Sequence, residues 1–217
     1  MTTWSDRAEA YRQSPTHREG PDLDLVVAWC DPGEGVVALD VATGGGHVAR
    51  RLRDEGCQVV TLDPSPGMQA DVLAGAESIP FEDGSFDVVV SRIAPHHFED
   101  VGSALAEMAR VSKRLVVIED TLFSSDRHEE AEKLRDPTHV RNYGEDEWRS
   151  FLAGAGLEVD QVEHFEKTHP LEDWLARTGC EGADAERVRE LLADRLTEDG
   201  SAWTDTKIVL RARKAAS

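Results

Sequence analysis

The chain has 217 residues, of which 43 are Asp or Glu and 24 Lys or Arg, giving a formal charge of −19, with 40% hydrophobic and 31% charged side chains. The length suits one domain with a sizeable core, and the composition is that of a folded chain rather than a disordered one. A surface this acidic repels phosphate backbones and anionic headgroups, so nucleic acid and membrane surfaces are disfavoured as partners.

No apolar run approaches the roughly 20 residues needed to cross a bilayer. Met1–Arg7 lacks the apolar stretch of a signal peptide, so the expected location is cytoplasmic. Cys30, Cys57 and Cys180 stand far apart with no CxxC pair, which fits separate reduced thiols better than a disulfide frame or a zinc site. No metal site is expected.

Taken in chain order, Trp4–Arg18 reads as a helix ahead of the first strand, placed to cover a site. Val36–Val41 is a short apolar run ending in a glycine turn, hence a buried strand. His47–Glu55 follows as a helix, with Val48 and Leu52 on one face. Cys57–Leu62 reads as a second strand, Ser65–Leu73 as a short helix, and Phe86–Ile93 as a strand with a β-prone Val88-Val89-Val90 core. Val101–Val111 has helical periodicity and Leu115–Glu119 is a further strand. Beyond it the pattern predicts helices over Asp126–Arg135, Glu145–Ala155, Leu171–Thr178 and Ala185–Leu196, and strands over Leu157–Phe165 and Thr206–Ala212. Alternating strands and helices predict an α/β fold whose parallel sheet is covered on both faces.

The sharpest signal is Ala38-Leu39-Asp40-Val41-Ala42-Thr43-Gly44-Gly45-Gly46-His47-Val48-Ala49. A strand that turns abruptly into a helix while its backbone approaches a ligand needs residues without bulky side chains. The amides opening the helix then favour an anionic ligand group. Gly44-x-Gly46-x-x-Ala49 also fits a dinucleotide fingerprint, a weak signal alone. Asp40 argues against that reading, because a pyrophosphate would lie near a carboxylate. An acid there suits a cationic group such as the amino group of a methionyl moiety. Asp63, ending the next strand, can accept both hydrogen bonds of a ribose diol, or can simply cap the turn before Pro64.

These residues resemble the broad family of class I S-adenosylmethionine-dependent methyltransferases that includes the ubiquinone and menaquinone biosynthesis C-methyltransferases. The likeness runs through Leu39–His47, Asp63-Pro64-Ser65-Pro66-Gly67-Met68, Ala76-Glu77-Ser78-Ile79-Pro80-Phe81, Phe86–Arg92 and Ala104–Val111. It implies a Rossmann-like fold: a mostly parallel seven-stranded sheet with an antiparallel last strand and helices on both faces. It also implies one methyltransferase domain over 1–217, with an N-terminal helical cap (1–34), a cofactor-binding core (35–122) and substrate-side helices and closing strands (123–217). S-adenosylmethionine is the implied cofactor. By the resemblance, Asp40, Ala42, Gly44 and Gly46 hold its methionyl part, Asp63 with Pro64 its ribose, and Met68, Ala76 and Glu77 its adenine. Ser91 and Arg92 line the floor, and Tyr11 closes over it. The chain departs from the family in carrying Ala42 for the first glycine, Gly75 for an acid before Ala76-Glu77, and Ser112-Lys113-Arg114 for a proline-glycine turn.

Methyl transfer from a sulfonium needs alignment of the nucleophile and, for some acceptors, removal of a proton. His96 and His97, just after the fourth strand at the carboxyl edge of the sheet, are the candidate bases; the alternative is that one caps the next helix and the other packs beside Phe98. His139, Arg141 and Tyr143 form a polar loop suited to an anionic or phenolic substrate, or to a hydrogen-bonded connector. The expected partner is therefore a small-molecule acceptor, methylated at carbon or oxygen. A nicotinamide oxidoreductase of the short-chain type would need Tyr-x-x-x-Lys, whereas Pro15 and Glu147 stand four residues after Tyr11 and Tyr143. A cofactor-binding protein that transfers no methyl group is the remaining alternative.

Overall fold

The strands at the centre of this protein are apolar on both faces because both faces are covered. A computed structural model describes residues 4–214. Its seven-stranded sheet runs β3-β2-β1-β4-β5-β7-β6. In chain order the strands are β1 (Val37–Val41), β2 (Gln58–Asp63), β3 (Val72–Leu73), β4 (Phe86–Arg92), β5 (Ser112–Thr121), β6 (Leu157–Pro170) and β7 (Ala202–Lys214). All pairs from β3 to β5 are parallel, and β7 alone runs against its neighbours. This is the doubly wound fold that the sequence predicts, with its last strand reversed.

The helices are α1 (Trp4–Gln13), α2 (Pro15–Arg18), α3 (Pro21–Trp29), α4 (His47–Asp54), α5 (Val101–Val111), α6 (Asp126–Arg135), α7 (Glu145–Gly154), α8 (Leu171–Ala176) and α9 (Gly182–Leu191). Side chains alternate across a strand, so Leu39, Val89, Val116 and Ile118 meet Leu105, Met108, Trp148 and Leu152 of α5 and α7 on one face. Ala38, Val88, Val90, Leu115 and Val117 meet Leu23, Val26, Val27 and Leu52 of α3 and α4 on the other. Each fully buried aliphatic side chain contributes roughly 1.5–3 kcal/mol. A third apolar cluster, around Trp174, Val188, Leu191 and Trp203, joins α6, α8 and α9 to β7. Among the described residues no helix is long and apolar enough to cross a membrane.

Several elements differ from the sequence reading. Over Ser65–Leu73 only Pro66–Met68 forms a single 3₁₀ turn, ended by Gln69 at φ +58°. The Asp71 carboxylate then accepts from the Thr61 amide (2.9 Å) and hydroxyl (2.7 Å). That clamp draws Val72 and Leu73 alongside β2 as a short edge strand. Trp4–Arg18 is two helices rather than one, because Ser14 is extended and Pro15 opens the second, as residues preceding proline favour. The helix Pro21–Trp29, with Asp22 and Asp24 in its first turn, falls within the helical cap expected over 1–34 but was not delimited in the sequence reading. The closing strands are longer than their apolar cores: β6 and β7 pair from Leu157↔Lys214 to Pro170↔Ala202. Charged residues continue that ladder because its outer edge faces solvent. The helix expected over Ala185–Leu196 starts at Gly182 and stops at Leu191, and Leu196 instead bridges to Trp203.

The chain fills β1, β2 and β3 outward in one direction and then β4 and β5 in the other. The reversal opens a crevice beyond the carboxyl ends of β1 and β4, where ligands bind in such sheets.

Candidate active site

The crevice holds a cavity of ≈ 360 Å³ whose walls include Asp40, Gly44, Asp63, Met68, Glu77 and His96. The turn leaving β1 is held by its own acids. Asp40 Oδ2 accepts from Thr43 Oγ1 (2.6 Å) and from the Ala49 amide (3.2 Å). Asp63 Oδ2 accepts from the Gly44 amide (3.0 Å) and its Oδ1 from the Ser65 amide (2.9 Å). The turn passes through positive φ at Ala42 (+54°), Gly44 (+51°) and Gly46 (+72°), the last being the N-cap of α4. For Ala42 that conformation costs about 1–2 kcal/mol.

Gly45 is required by a close approach rather than by its φ. A Cβ there would lie 2.7 Å from His47 Nε2 and 3.0 Å from the Tyr11 carbonyl. His47 Nε2 donates to that carbonyl (3.0 Å) while its Nδ1 accepts from Arg50 (2.6 Å), so the end of α1 is fastened over the glycine turn. The start of α1 rests on the turn after β2: the Gly67 amide donates to Ser5 Oγ (3.0 Å). Arg12 donates to the Gly67 carbonyl (3.1 Å). Trp4 and Tyr11 thereby enter the cavity wall.

Burial pushes the Asp40 carboxyl up to about 6, although the bonds from Thr43 and Ala49 pull it back. Burial also raises Asp63, against its two amide bonds. The protein thus presents two desolvated acids to the cavity, a setting that favours a ligand bringing positive charge or hydroxyl donors.

On the opposite wall, Ile93, the residue after β4, has φ +51°, an uncommon conformation for a β-branched residue, and its amide donates to the Glu119 carbonyl (2.7 Å). The turn it starts carries His96 and His97 into the cavity. His96 Nδ1 lies 2.5 Å from Asp120 Oδ1, at the carboxyl end of β5. Burial lowers the basicity of His96, but the charge and hydrogen bond of Asp120 more than offset it, and the imidazole ends above its ordinary value. His97 goes the other way: burial and the neighbouring His96 hold it well below. Its Nδ1 meets the Thr138 carbonyl (3.0 Å), and Trp4 packs edge-on against its ring. Two adjacent histidines are therefore a charged-capable member and a neutral member, set apart by their environments.

Of the other residues singled out from sequence, Tyr11, Ala42, Pro64, Met68, Ala76, Glu77 and Arg92 also lie in the cavity wall. Arg92 is committed elsewhere: its guanidinium donates to Glu119 (2.5 Å), to Asp22 (2.5 Å) and to the His17 carbonyl (3.1 Å). Ser91 is fully buried and outside the wall, and Gly46, half-buried as the N-cap of α4, is also outside it. His139, Arg141 and Tyr143 also lie outside it. His139 Nε2 pairs with Glu129 (3.0 Å), Arg141 is bonded to Glu147 (2.8 Å) near the Tyr143 ring, and Tyr143 packs against Trp148 and Phe151. That loop has the geometry of a connector. Asp120 was not singled out from sequence. Its signal was there, an acid at the carboxyl end of an apolar strand, as Asp40 and Asp63 are.

Residues 39–117 match the family profile described as a methyltransferase domain. The uncharacterized methyltransferase YcgJ of Bacillus subtilis is 29% identical over 215 residues, covering 88% of this chain and 83% of that one. The Escherichia coli protein YafE is 36% identical over 65% of this chain and 75% of its own. Among solved structures, the BH2331 protein of Bacillus halodurans, described as a candidate methyltransferase, superposes with a TM-score of 0.79 at 27% identity. The superposition covers 91% of this chain and all of that one. The chain belongs to the class I S-adenosylmethionine-dependent methyltransferases.

Membership implies S-adenosylmethionine as the methyl donor, and the residues of the cavity fit it. The buried Asp40 suits its amino group, the close-packed glycine turn leaves the backbone accessible, and Asp63 retains lone pairs for hydroxyl donors. In this methyltransferase the family profile ends at Val117, so α6 to β7, which complete the cavity, lie beyond the matched segment.

Proposed function

We propose that this methyltransferase transfers the methyl group of S-adenosylmethionine to a carbon or oxygen atom of a small molecule, with His96 as the base and Asp120 as its positioning partner. The observation that carries the reading is that His96, lining the same cavity as Asp40, Asp63 and the glycine turn, is backed by the buried Asp120 at 2.5 Å. When bound, S-adenosylmethionine supplies an electrophilic methyl group on a sulfonium. The protein's task is to hold the acceptor in line and to take its proton.

Asp40 and the turn from Ala42 to Gly44 hold the amino-acid end, Asp63 the ribose, and Met68 with Ala76 and Glu77 the adenine. With Nδ1 directed at Asp120, the imidazole of His96 is fixed in the tautomer that leaves Nε2 to accept a proton. Asp120 then stabilises the imidazolium that forms, as a buried acid does for a histidine base. His97 stays neutral and shapes the wall with Trp4. In this reading α1 and α2 roof the cofactor and residues 123–217 complete the acceptor side. The roof supports a small acceptor, since a polymer would have to displace α1. The charge of −19 also disfavours a nucleic acid.

The test is calorimetric titration with S-adenosylhomocysteine on wild type and Asp63→Ala, followed by a screen of small hydroxylated and enolisable acceptors read by S-adenosylhomocysteine release. Micromolar binding weakened about 100-fold in the variant, the scale of two lost hydrogen bonds to a charged group, with turnover of an acceptor, is expected. Absence of binding to wild type sinks the cofactor assignment. Binding without turnover across the panel favours a protein that uses the cofactor without methylating.

A further inference from the structure

Beyond the two histidines the cavity continues into a lobe lined by α2, α8 and the ends of β6 and β7. Its chemistry is unlike the acidic exterior, because four cations, Arg135, Lys167, Arg177 and Lys207, converge on it. Three of them are neutralised. Lys207 lies 2.7 Å from Asp205, Arg135 is 3.6 Å from Glu132, and Lys167 contacts Asp22. Arg177 has no such partner: among the described residues no carboxylate lies within ion-pairing distance, and its side-chain bond goes to His17 Nδ1 at 3.4 Å. His17 brings no negative charge, and burial followed by the charge of Arg177 keeps it neutral.

The same lobe holds a second unsatisfied group. His169 is 5% exposed, lines the same lobe, and neither ring nitrogen has a hydrogen-bond partner among the described residues. Asp205 is 3.3 Å from its Nε2 but out of hydrogen-bonding alignment. The ring is held by stacking on Trp203. Buried polar groups in folded proteins are nearly always paired, and a cation withdrawn from water calls for an anion. A guanidinium fork and an imidazole donor lining one lobe match the oxygens of a carboxylate or phosphate.

We propose that Arg177 and His169 form an anion pocket that holds a carboxylate or phosphate group of the methyl acceptor, placing its nucleophilic atom toward His96. The proposal deepens the methyl-transfer reading and rests on it for the identity of the occupant. It makes the substrate a small organic acid or phosphate ester carrying a separate hydroxyl or enolisable carbon. Burial, followed by the charge of Arg135, lowers Arg177 to about 10, the response of a desolvated cation that a bound anion would reverse.

The experiment titrates the full-length protein, with and without S-adenosylhomocysteine, with benzoate, phenyl phosphate and the neutral benzamide. At least one anion is expected to bind saturably and at least tenfold more tightly than benzamide, and whichever anion wins identifies the group. Arg177→Met should erase that preference while leaving S-adenosylhomocysteine affinity within about twofold, and Arg177→Lys should restore part of it; His169→Gln should weaken the anion severalfold in a second, independent background. Equal binding of benzamide and the anions overturns the proposal, as does unchanged anion affinity in Arg177→Met or no saturable anion binding in either state. Failure of S-adenosylhomocysteine to bind would instead remove the cofactor reading, with the anion arm still decided by the cofactor-free titration.

Discussion

The two walls of the cavity are built on different principles. On the wall proposed for the cofactor, Asp40 accepts from the Thr43 hydroxyl and the Ala49 amide, and Asp63 from the amides of Gly44 and Ser65. On the wall proposed for the acceptor, charges pair with side chains brought from other elements: His96 with Asp120 and Lys167 with Asp22. A wall made of backbone contacts tolerates variation of the side chains around it. A wall made of side-chain pairs changes its specificity with one substitution. Under the proposed function, the contrast pairs a cofactor wall fixed by the backbone with an acceptor wall that single substitutions can retune.

Disrupting the acceptor side should have the largest effect on rate. His96→Gln is expected to lower kcat by about 10²–10⁴-fold, the span of general-base catalysis, with S-adenosylhomocysteine affinity preserved in calorimetry. Asp120→Asn should also move the pH profile. The base must be neutral, and Asp120 raises the imidazole above its ordinary value, so the wild-type rate falls as pH drops through that raised value. Without the charge the falling limb shifts to lower pH. A limb that stays in place would deny Asp120 its role.

Breaking the cofactor side at its tightest point comes next. Gly45→Val drives a side chain into His47 and the Tyr11 carbonyl. Overpacking of this kind costs roughly 1–3 kcal/mol, or about 5- to 150-fold in affinity for S-adenosylhomocysteine if α1 must lift to relieve it. Unchanged affinity would mean that α1 is no part of the binding site.

A smaller effect should appear in the pH dependence of cofactor binding. Asp40 is held at about 6 by burial and must be ionised to meet an amino group. Affinity for S-adenosylhomocysteine should therefore be constant above that value and fall by up to about tenfold per pH unit below it, with proton release on binding at pH near 6. Calorimetry in buffers of different ionisation enthalpy measures the released proton. Asp40→Asn should flatten the profile.

The smallest effect is on stability. Ala42→Gly relieves a positive φ but loosens the unfolded chain, so the net gain is about 0.5–1 kcal/mol. For a chain of this size that is a rise of roughly 1–4 °C in Tm by calorimetry. A fall would show that the Ala42 methyl packs more favourably than its backbone is strained.

That Asp40, Gly44 and Asp63 would share one cavity wall was legible in advance because the determinants are local. Asp40, the glycines and Asp63 follow strands whose apolar runs announce them, and strand and turn geometry then place them at one edge of the sheet. The acceptor side was less legible. His139, Arg141 and Tyr143 sit together in the chain yet outside the cavity, because the connector turns Tyr143 into the core against Trp148. The short helix read over Ser65–Leu73 failed for a related reason: the Asp71 clamp onto Thr61 spans ten residues, and neither element signals it alone.

By itself the sequence determined the alternating strands and helices of a doubly wound sheet and the strand-to-helix turn from Asp40 to Gly46, while the reversed last strand followed only from the family resemblance. The first two depend on hydrophobic periodicity and on backbone conformations that few residues adopt, both written in short stretches of chain. Tertiary structure decided which histidine gains a carboxylate, that α1 lies over the glycine turn, and that Arg177 and His169 share one lobe. Those are meetings between different elements, His96 with Asp120 across 24 residues and His47 with Tyr11 across 36. Burial and charge at such meetings come into being only when the sheet closes and water leaves.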